Sequence, residues 1–317
     1  RVQLTYKLIE LEKYRANGKL LISGEYSVLD GAIALAVPTR FGQTLEVTYI
    51  DNKEASQKLK WEAFLHEDIL WFSADFDLKT LSLVESSDEK LALRLLDIFK
   101  AIQQIKPNFF TDQKQNIHCK TQLEFPKDWG LGSSSTLIDL LAQFAEIDAF
   151  ELNRLTFNTS GYDVACARVN SPILYQIKNG KPHIQKVDFR PDFIQHLYFV
   201  YLNQKQDTQI SVSKTYKNLP KDKEWVKKIS ELTRQILNAQ TLDEFENLIE
   251  SHEDLIASKL GFSKVKDLYF PEHIGKVKSL GAWGGDFVLM TSLSDPSQYL
   301  NSKNHTTYFS FEDMVIE

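Results

Sequence analysis

Apolar and polar positions alternate loosely over residues 2–10 and more regularly over 43–50, and both stretches are expected to be strands. Residues 19–22 and 32–37 are short apolar runs flanking Gly24 and Gly31. Residues 51–60 are polar and read as a hairpin tip. Trp61, Phe64, Trp71, Phe72 and Phe76 mark an aromatic-rich β region. The period then changes. Leu91, Leu95, Ile98, Ile102 and Ile105 fall on one helical face, with Ser86 and Glu89 spaced as a capping box before them and Pro107 as a stop. Residues 116–125 return to a strand pattern. Leu137, Ile138, Leu141, Phe144 and Ala145 predict a helix over 134–147, and Asp148 starts a short one over 149–157. Beyond residue 171 come strands at 172–178, 183–189 and 196–203, then long helices over 221–238 and 242–260, the second ended by Gly261. Strands and segregated helices predict an α+β fold rather than a doubly wound parallel sheet, with a boundary in the region 180–195.

Composition narrows the function classes. The 317 residues are 43% hydrophobic and 25% charged, which suits one large domain or two ordinary ones with a real core. Lys and Arg number 37 against 43 Asp and Glu, a net charge of −6, which argues against a nucleic-acid partner. Cys119 and Cys166 give neither a disulfide framework nor zinc spacing and fit a reducing cytoplasm. His118 beside Cys119 reads as strand filler. No apolar run approaches the roughly 18 residues of a membrane span, so no membrane partner is expected. No signal peptide is evident. The sequence opens at Arg1 and its only methionines are Met290 and Met314, so an initiator and a few native residues are expected upstream.

The chemistry concentrates in "GLGSSST", residues 130–136. Glycines let a backbone turn sharply and approach a ligand closely. The helix that follows offers N–H groups without internal partners and the positive end of its dipole, which suits a phosphate. Hydroxyls at Ser133, Ser134 and Ser135 can bond phosphate oxygens or ligate a magnesium ion. A Ser-rich N-cap accounts for the same residues with one hydroxyl. The stretch is not a P-loop: none of Gly18-Lys19, Gly180-Lys181 and Gly275-Lys276 has the required flanking residues. Three more stretches have related character: "ANGKLLISGEYSVLDG" at 16–31, "NTSGYDVACA" at 158–167 and "LGAWGGDFVLM" at 280–290.

Taken in this order the four stretches resemble the GHMP kinase superfamily, most closely in the style of its mevalonate and phosphomevalonate kinases. Pro126–Ser134 matches the family's P-x-x-x-G-L-G-S-S signature at every fixed position, and the resemblance spans nearly the whole chain. It implies a two-domain α+β fold: a ribosomal-protein-S5-like ATP-binding domain, 1–185, and a ferredoxin-like domain, 186–317, with ATP and acceptor in the cleft between them. It implies ATP and Mg2+, a small-molecule acceptor, and a homodimer as an open option. By the same resemblance Gly130, Leu131, Gly132, Ser133, Ser134 and Ser135 hold the nucleotide phosphates. Ser134 ligates magnesium, with Glu151 as a second candidate ligand. Asp163 and Lys19 are catalytic, Glu25 and Tyr26 line the acceptor side, and Gly284, Gly285 and Asp286 shape the cleft. Glu151 also completes a D-x-x-E capping arrangement with Asp148, the reading favoured here.

The sequence departs from the family at Asn17, where proline is usual, at Ser135-Thr136 in place of small residues, and at Trp283, where glycine is usual. Mevalonate is the first expected acceptor and phosphomevalonate the second. The latter would need extra cations, for which Arg40, Arg168, Lys205 and Lys214 are candidates. Sugar or homoserine kinases and a catalytically silent ATP-binding relative are further alternatives. Diphosphomevalonate decarboxylase is disfavoured because its N-terminal Asn and Lys motif is missing.

Overall fold

A computed structural model describes residues 8–51, 56–203, 214–281, 283 and 286–316. The chain divides into two compact units. The first comprises residues 1–18, 41–127 and 132–168, and the second 19–40, 128–131 and 169–317. Among the described residues no helix is long and apolar enough to cross a membrane.

In the first unit, strand β3 (Lys58–Phe64) pairs antiparallel with β4 (Leu70–Asp77), β4 with β5 (Ser82–Ser86), and β3 parallel with β6 (Asn116–Leu123). Residues 43–50 of a long strand pair antiparallel with β6. The alternation in β6 sorts its side chains. Cys119 is buried in the core, while His118, on the other face, contacts Glu62 at 2.6 Å. His118 and Cys119 are therefore a strand pair and not a ligand pair. Helices α1 (Glu89–Ile105), α2 (Ser133–Ala145), α3 (Ala149–Leu155) and α4 (Tyr162–Arg168) complete the unit. Leu95, Phe99 and Ile102 of α1 share one core with Trp61, Phe76, Leu141 and Phe144.

Several local expectations are met with changed boundaries. The α1 face is as expected, but its N-cap is Asp88, whose carboxylate accepts from the Leu91 N–H at 3.1 Å. Ser86 is still paired with Ala74 in the sheet and the Ser87 hydroxyl accepts from Ser73, so Asp88 is the first side chain free to cap. Residues 8–23 form one strand, β1 (Leu8–Ser23), and β2 (Ala34–Ile50) likewise joins two expected pieces. Both strands run on through the stretches between those pieces, residues 11–18 and 38–42. The first part of the expected strand 2–10 and residues 52–55 lie outside the described residues. Of the expected hairpin tip 51–60, residues 58–60 belong to β3, whose partners are β4 and β6 and not β2, so the stretch is not the tip of a β2–β3 hairpin. Helix α4 goes beyond the sequence reading: its seven residues are too few to show a period, and no D-x-x-E capping arrangement like that of α3 precedes it.

In the second unit a four-stranded antiparallel sheet has the order β10 (Val277–Ser279), β11 (Phe287–Thr291), β9 (Leu197–Tyr201), β12 (Tyr308–Ser310). Residues 34–36 pair with β7 (Ile173–Lys178), and β7 with β8 (Lys181–Lys186). Two amphipathic helices, α5 (Lys223–Asn238) and α6 (Leu242–Leu260), pack together. Asp222 and Thr241 cap their N-termini, and Gly261, at φ 72°, ends α6 as its spacing predicts.

Candidate functional site

The glycine-rich stretch is shared by the two units and is described in each. In the second unit, the Lys19 N–H donates to the Leu131 carbonyl at 2.9 Å, and Lys19 Nζ to the Gly130 carbonyl at 2.8 Å. Trp129 anchors the same segment with its ring against Tyr201, Phe287 and Phe309. Gly130 has φ +66°, and a Cβ there would lie 1.6 Å from Asp286 Oδ2, so only glycine fits beneath that carboxylate. Asp286 thus packs directly over the Gly130 turn.

In the first unit the stretch opens helix α2. Its N-cap is Gly132, at φ 94° and ψ 42°, and no side chain caps it. The Ser-rich N-cap reading fails here, because the cap position carries no hydroxyl. The N–H groups of Ser133, Ser134 and Ser135 have no intrahelical acceptor. The Ser135 hydroxyl turns back to the Gly132 carbonyl at 2.8 Å, and that of Thr136 to Gln43 at 2.7 Å. Among the described residues nothing takes the Ser133 or Ser134 hydroxyl, and Ser134 is exposed. Ser135 and Thr136 therefore replace small residues by satisfying their own hydroxyls internally.

Beside Ser133 and Ser134 lies a cavity of about 190 Å³ within the first unit. Trp61, Trp71, Phe72, Leu95, Leu137 and Phe157 line it, with Gln43 as a polar group and Arg94 and Lys127 as cations. Lys127 Nζ stands 4.8 Å over the Trp71 ring and Arg94 4.7 Å over that of Phe157. The aromatic β region was visible in the sequence. Its role as a pocket wall was not, since the lining runs from residue 43 to residue 157.

Asp163 is the second residue of α4. Its Oδ1 accepts from the Val164 N–H at 3.0 Å and lies 3.2 Å from Thr159 Oγ1, leaving Oδ2 without a hydrogen bond among the described residues. Glu151 lies in the first turn of α3, where its N–H donates to the capping Asp148 carboxylate at 2.9 Å and its own carboxylate is 3.8 Å from Arg154. Its position is thus explained by the cap. Among the described residues no group of three His, Cys, Asp or Glu could hold a metal. The donor set for a hard cation here is the Ser133 and Ser134 hydroxyls, which suits an ion that brings most of its oxygen ligands with a phosphate.

Glu25 is only 1% exposed. Lys278 Nζ, equally buried, donates to its Oε1 and to the Ser279 carbonyl. His252 Nε2 accepts from the Gly24 N–H at 3.1 Å, and Glu253 accepts from the Ser279 N–H and hydroxyl. Burial pushes the Glu25 carboxyl up against the pull of Lys278, holds His252 neutral, and raises Glu253 to about 7. Sequence distance hid this cluster, which joins residues 253 positions apart. Tyr26 has φ 57° and ψ −46°, a rare conformation for a side-chain-bearing residue. Its hydroxyl accepts from the Trp283 N–H at 2.8 Å and keeps its own proton to donate. Burial raises its pKa to about 12. Gly284 and Gly285 lie outside the described residues.

Trp283 is buried among Tyr216, Trp225, Ile229, Ile256 and Leu260, and its indole N–H donates to Ser263 at 3.3 Å. It packs as a core side chain. Trp283→Gly is expected to cost about 3 kcal/mol, the scale of a large side chain lost from a core. Denaturant unfolding checks this, and an acceptor panel on the same variant should show no broadened choice.

No protein-family profile matches the sequence, and no curated protein matches it. Solved structures do match over nearly the full chain. Mevalonate kinase of Methanococcus jannaschii is similar with a TM-score of 0.64 at 16% identity, covering 100% of both chains. Phosphomevalonate kinase of Streptococcus pneumoniae, in complex with phosphomevalonate and AMPPNP, is similar with a TM-score of 0.65 at 16% identity over 96% of this chain and 98% of that one. Galactokinase of Lactococcus lactis, complexed with galactose, is similar with a TM-score of 0.64 at 12% identity over 98% and 94%. With an α+β architecture in two units and these neighbours, the chain has the GHMP kinase fold.

Proposed function

We propose that the protein is an ATP-dependent kinase that phosphorylates a small-molecule hydroxyl, with mevalonate as the first acceptor. The observation that carries the reading is the uncapped α2 N-terminus, with two unused hydroxyls, opening beside an aromatic cavity. Three free N–H groups and a helix dipole suit phosphate oxygens, and the apolar walls suit a nucleobase. Residues 1–185 are then the ATP-binding domain and 186–317 the ferredoxin-like domain. In this reading Gly130–Ser135 hold the phosphates. Ser134 is the magnesium-side ligand, Glu151 being kept for the α3 cap. Magnesium, when bound, supplies charge neutralisation at the phosphate oxygens.

Asp163 orients the acceptor hydroxyl through its unengaged Oδ2 and receives the proton as the new P–O bond forms and the bond to the ADP oxygen breaks. Lys19, already directed at the loop backbone, contributes positive charge to the transferring phosphoryl group. Tyr26 is left to donate to the acceptor, and Gly284 and Gly285 to shape its site. The buried Glu25 supports the turn that carries Tyr26. The preference for mevalonate over phosphomevalonate is supported by the engagement of two of the candidate cations. Of the four candidate cations, Arg168 is committed to Asp139 and Arg40 donates to the Glu312 carbonyl at 2.6 Å. Lys205 lies outside the described residues, and Lys214 is exposed.

The test is a coupled ADP-release assay over mevalonate, phosphomevalonate, galactose and homoserine, run on wild type and Ser134→Ala. The expected outcome is turnover of mevalonate, cut about 10²-fold in the variant, as for one lost charge-stabilising group. Melting should be unchanged, because Ser134 is an exposed first-turn residue and not the cap. A variant that melts early yet turns over normally would refute the assignment.

A further inference from the structure

Asp139 is a carboxylate that the proposed reaction does not use. It lies in α2 between the buried Ile138 and Leu140 and is itself 1% exposed. A carboxylate so placed is costly unless it is paired and hydrogen-bonded. Its Oδ1 accepts from Arg168 Nε at 2.9 Å and Nη2 at 2.8 Å, and its Oδ2 from Gln143 Nε2 at 2.8 Å. Arg168 is half exposed and reaches inward from the surface.

The position of that arginine gives the pair its meaning. Arg168 is the last residue of α4, and Asp163 is the second. At the Asp163 end the helix is tied to α3: Thr159 Oγ1 lies 3.2 Å from both Asp163 Oδ1 and Asn153 Oδ1, and Asn153 is a buried α3 residue. At the other end it is tied through Arg168 to α2, the helix whose first turn carries Ser133 and Ser134. Between the two ties α4 packs with Val164, Ala165, Cys166 and Ala167. Such small apolar contacts are non-directional and tolerate rotation and sliding. A seven-residue helix has little stability of its own. The charge-assisted Asp139–Arg168 contact is a directional tie between α4 and α2.

We infer that Asp139 and Arg168 are a positioning pair that keys α4 to α2, so that Asp163 is held in one register relative to the phosphate-binding turn of the same unit. Its functional half rests on the kinase reading. A misplacement of about 1 Å at a reacting group costs about 10²-fold in rate, so such a key would act on kcat.

The test is the double variant Asp139→Leu/Arg168→Met. Leucine has the shape of aspartate, removing both charges leaves no unpaired charge, and Gln143 Nε2 keeps its bond to the Arg15 carbonyl at 3.2 Å, so the fold is expected to hold. Two readouts are needed. Amide hydrogen exchange in α4 should quicken about tenfold or more while α1 exchange is unchanged. In the ADP-release assay kcat should fall about tenfold or more with the KM for ATP unchanged, the split expected of lost transition-state geometry. Arg168→Lys keeps the charge but not the planar fork and should fall between. If the double variant does not fold, Arg168→Lys carries both readouts. Unchanged α4 exchange overturns the inference, and so does faster exchange with wild-type kcat. Failure of the kinase reading shows separately, as wild-type protein that releases no ADP with any acceptor, and the exchange result then decides alone whether the pair holds α4.

Discussion

Asp163→Asn is expected to remove about 10²–10⁴-fold of kcat towards mevalonate while ATP still binds, the range of a positioned carboxylate in proton transfer. The local geometry makes the substitution clean. Oδ1 receives the Val164 N–H, and an asparagine oxygen can keep that bond. The amide nitrogen then replaces Oδ2, the oxygen that is unengaged, and turns an acceptor into a donor. A neutral alcohol loses its proton during transfer and depends on that oxygen. A phosphate monoester, with a second pKa of about 6, has already lost its proton near neutral pH. With phosphomevalonate the loss should be smaller, and the wild-type rate should fall as pH drops through the acceptor's own ionisation. Steady-state kinetics on both acceptors separate these cases. Near-normal turnover of mevalonate by Asp163→Asn would remove the catalytic assignment.

Lys278→Met is expected to destabilise the second unit by about 3–5 kcal/mol, the cost of stripping one partner from a buried ion pair. The loss falls on Glu25, whose Oε1 has lost its donor and whose Oε2 already has none. Glu253 beside it gains nothing in return. Both carboxyls already sit above their usual range in the wild type because burial disfavours their charge. A carboxyl whose folded-state pKa is raised contributes stability at low pH that is lost as pH rises through that pKa. The penalty of Lys278→Met should therefore be smaller at pH 5 than at pH 8. Urea unfolding at the two pH values measures it. Adding Glu25→Gln should recover most of the loss, and a midpoint that ignores both pH and the second substitution would count against a charged cluster.

The parts of the fold legible in the sequence were those specified by neighbours. The α1 stripe, the Asp148 cap, the Gly261 stop and the Pro126–Ser134 signature each depend on a few adjacent residues. The long strands β1 and β2 read as fragments because the apolar alternation lapses over 11–18 and 38–42, where the chain nonetheless stays extended. The site divided in the same way. Gly130 and Gly132 could be singled out because their neighbours explain them, although the carboxylate that makes Gly130 obligatory comes from Asp286. Arg168 looked like a spare cation, since nothing near it in sequence shows that Asp139 takes it. Glu25 read as a residue lining the acceptor side, whereas it is buried on Lys278, whose distance along the chain hid the pairing.

The two thiols have a consequence of a different kind. Cys119 lies in the core of the β6 face and Cys166 within α4, both buried, and burial pushes the Cys119 thiol well up. Neither can meet an alkylating reagent while the fold is closed, so each is modified only during an opening of its own element. Mass spectrometry of slowly alkylated native protein therefore times two events without any engineered label. The Cys119 adduct records rupture of the sheet and the Cys166 adduct release of the helix that carries Asp163, and their ratio says which part of the first unit gives way first.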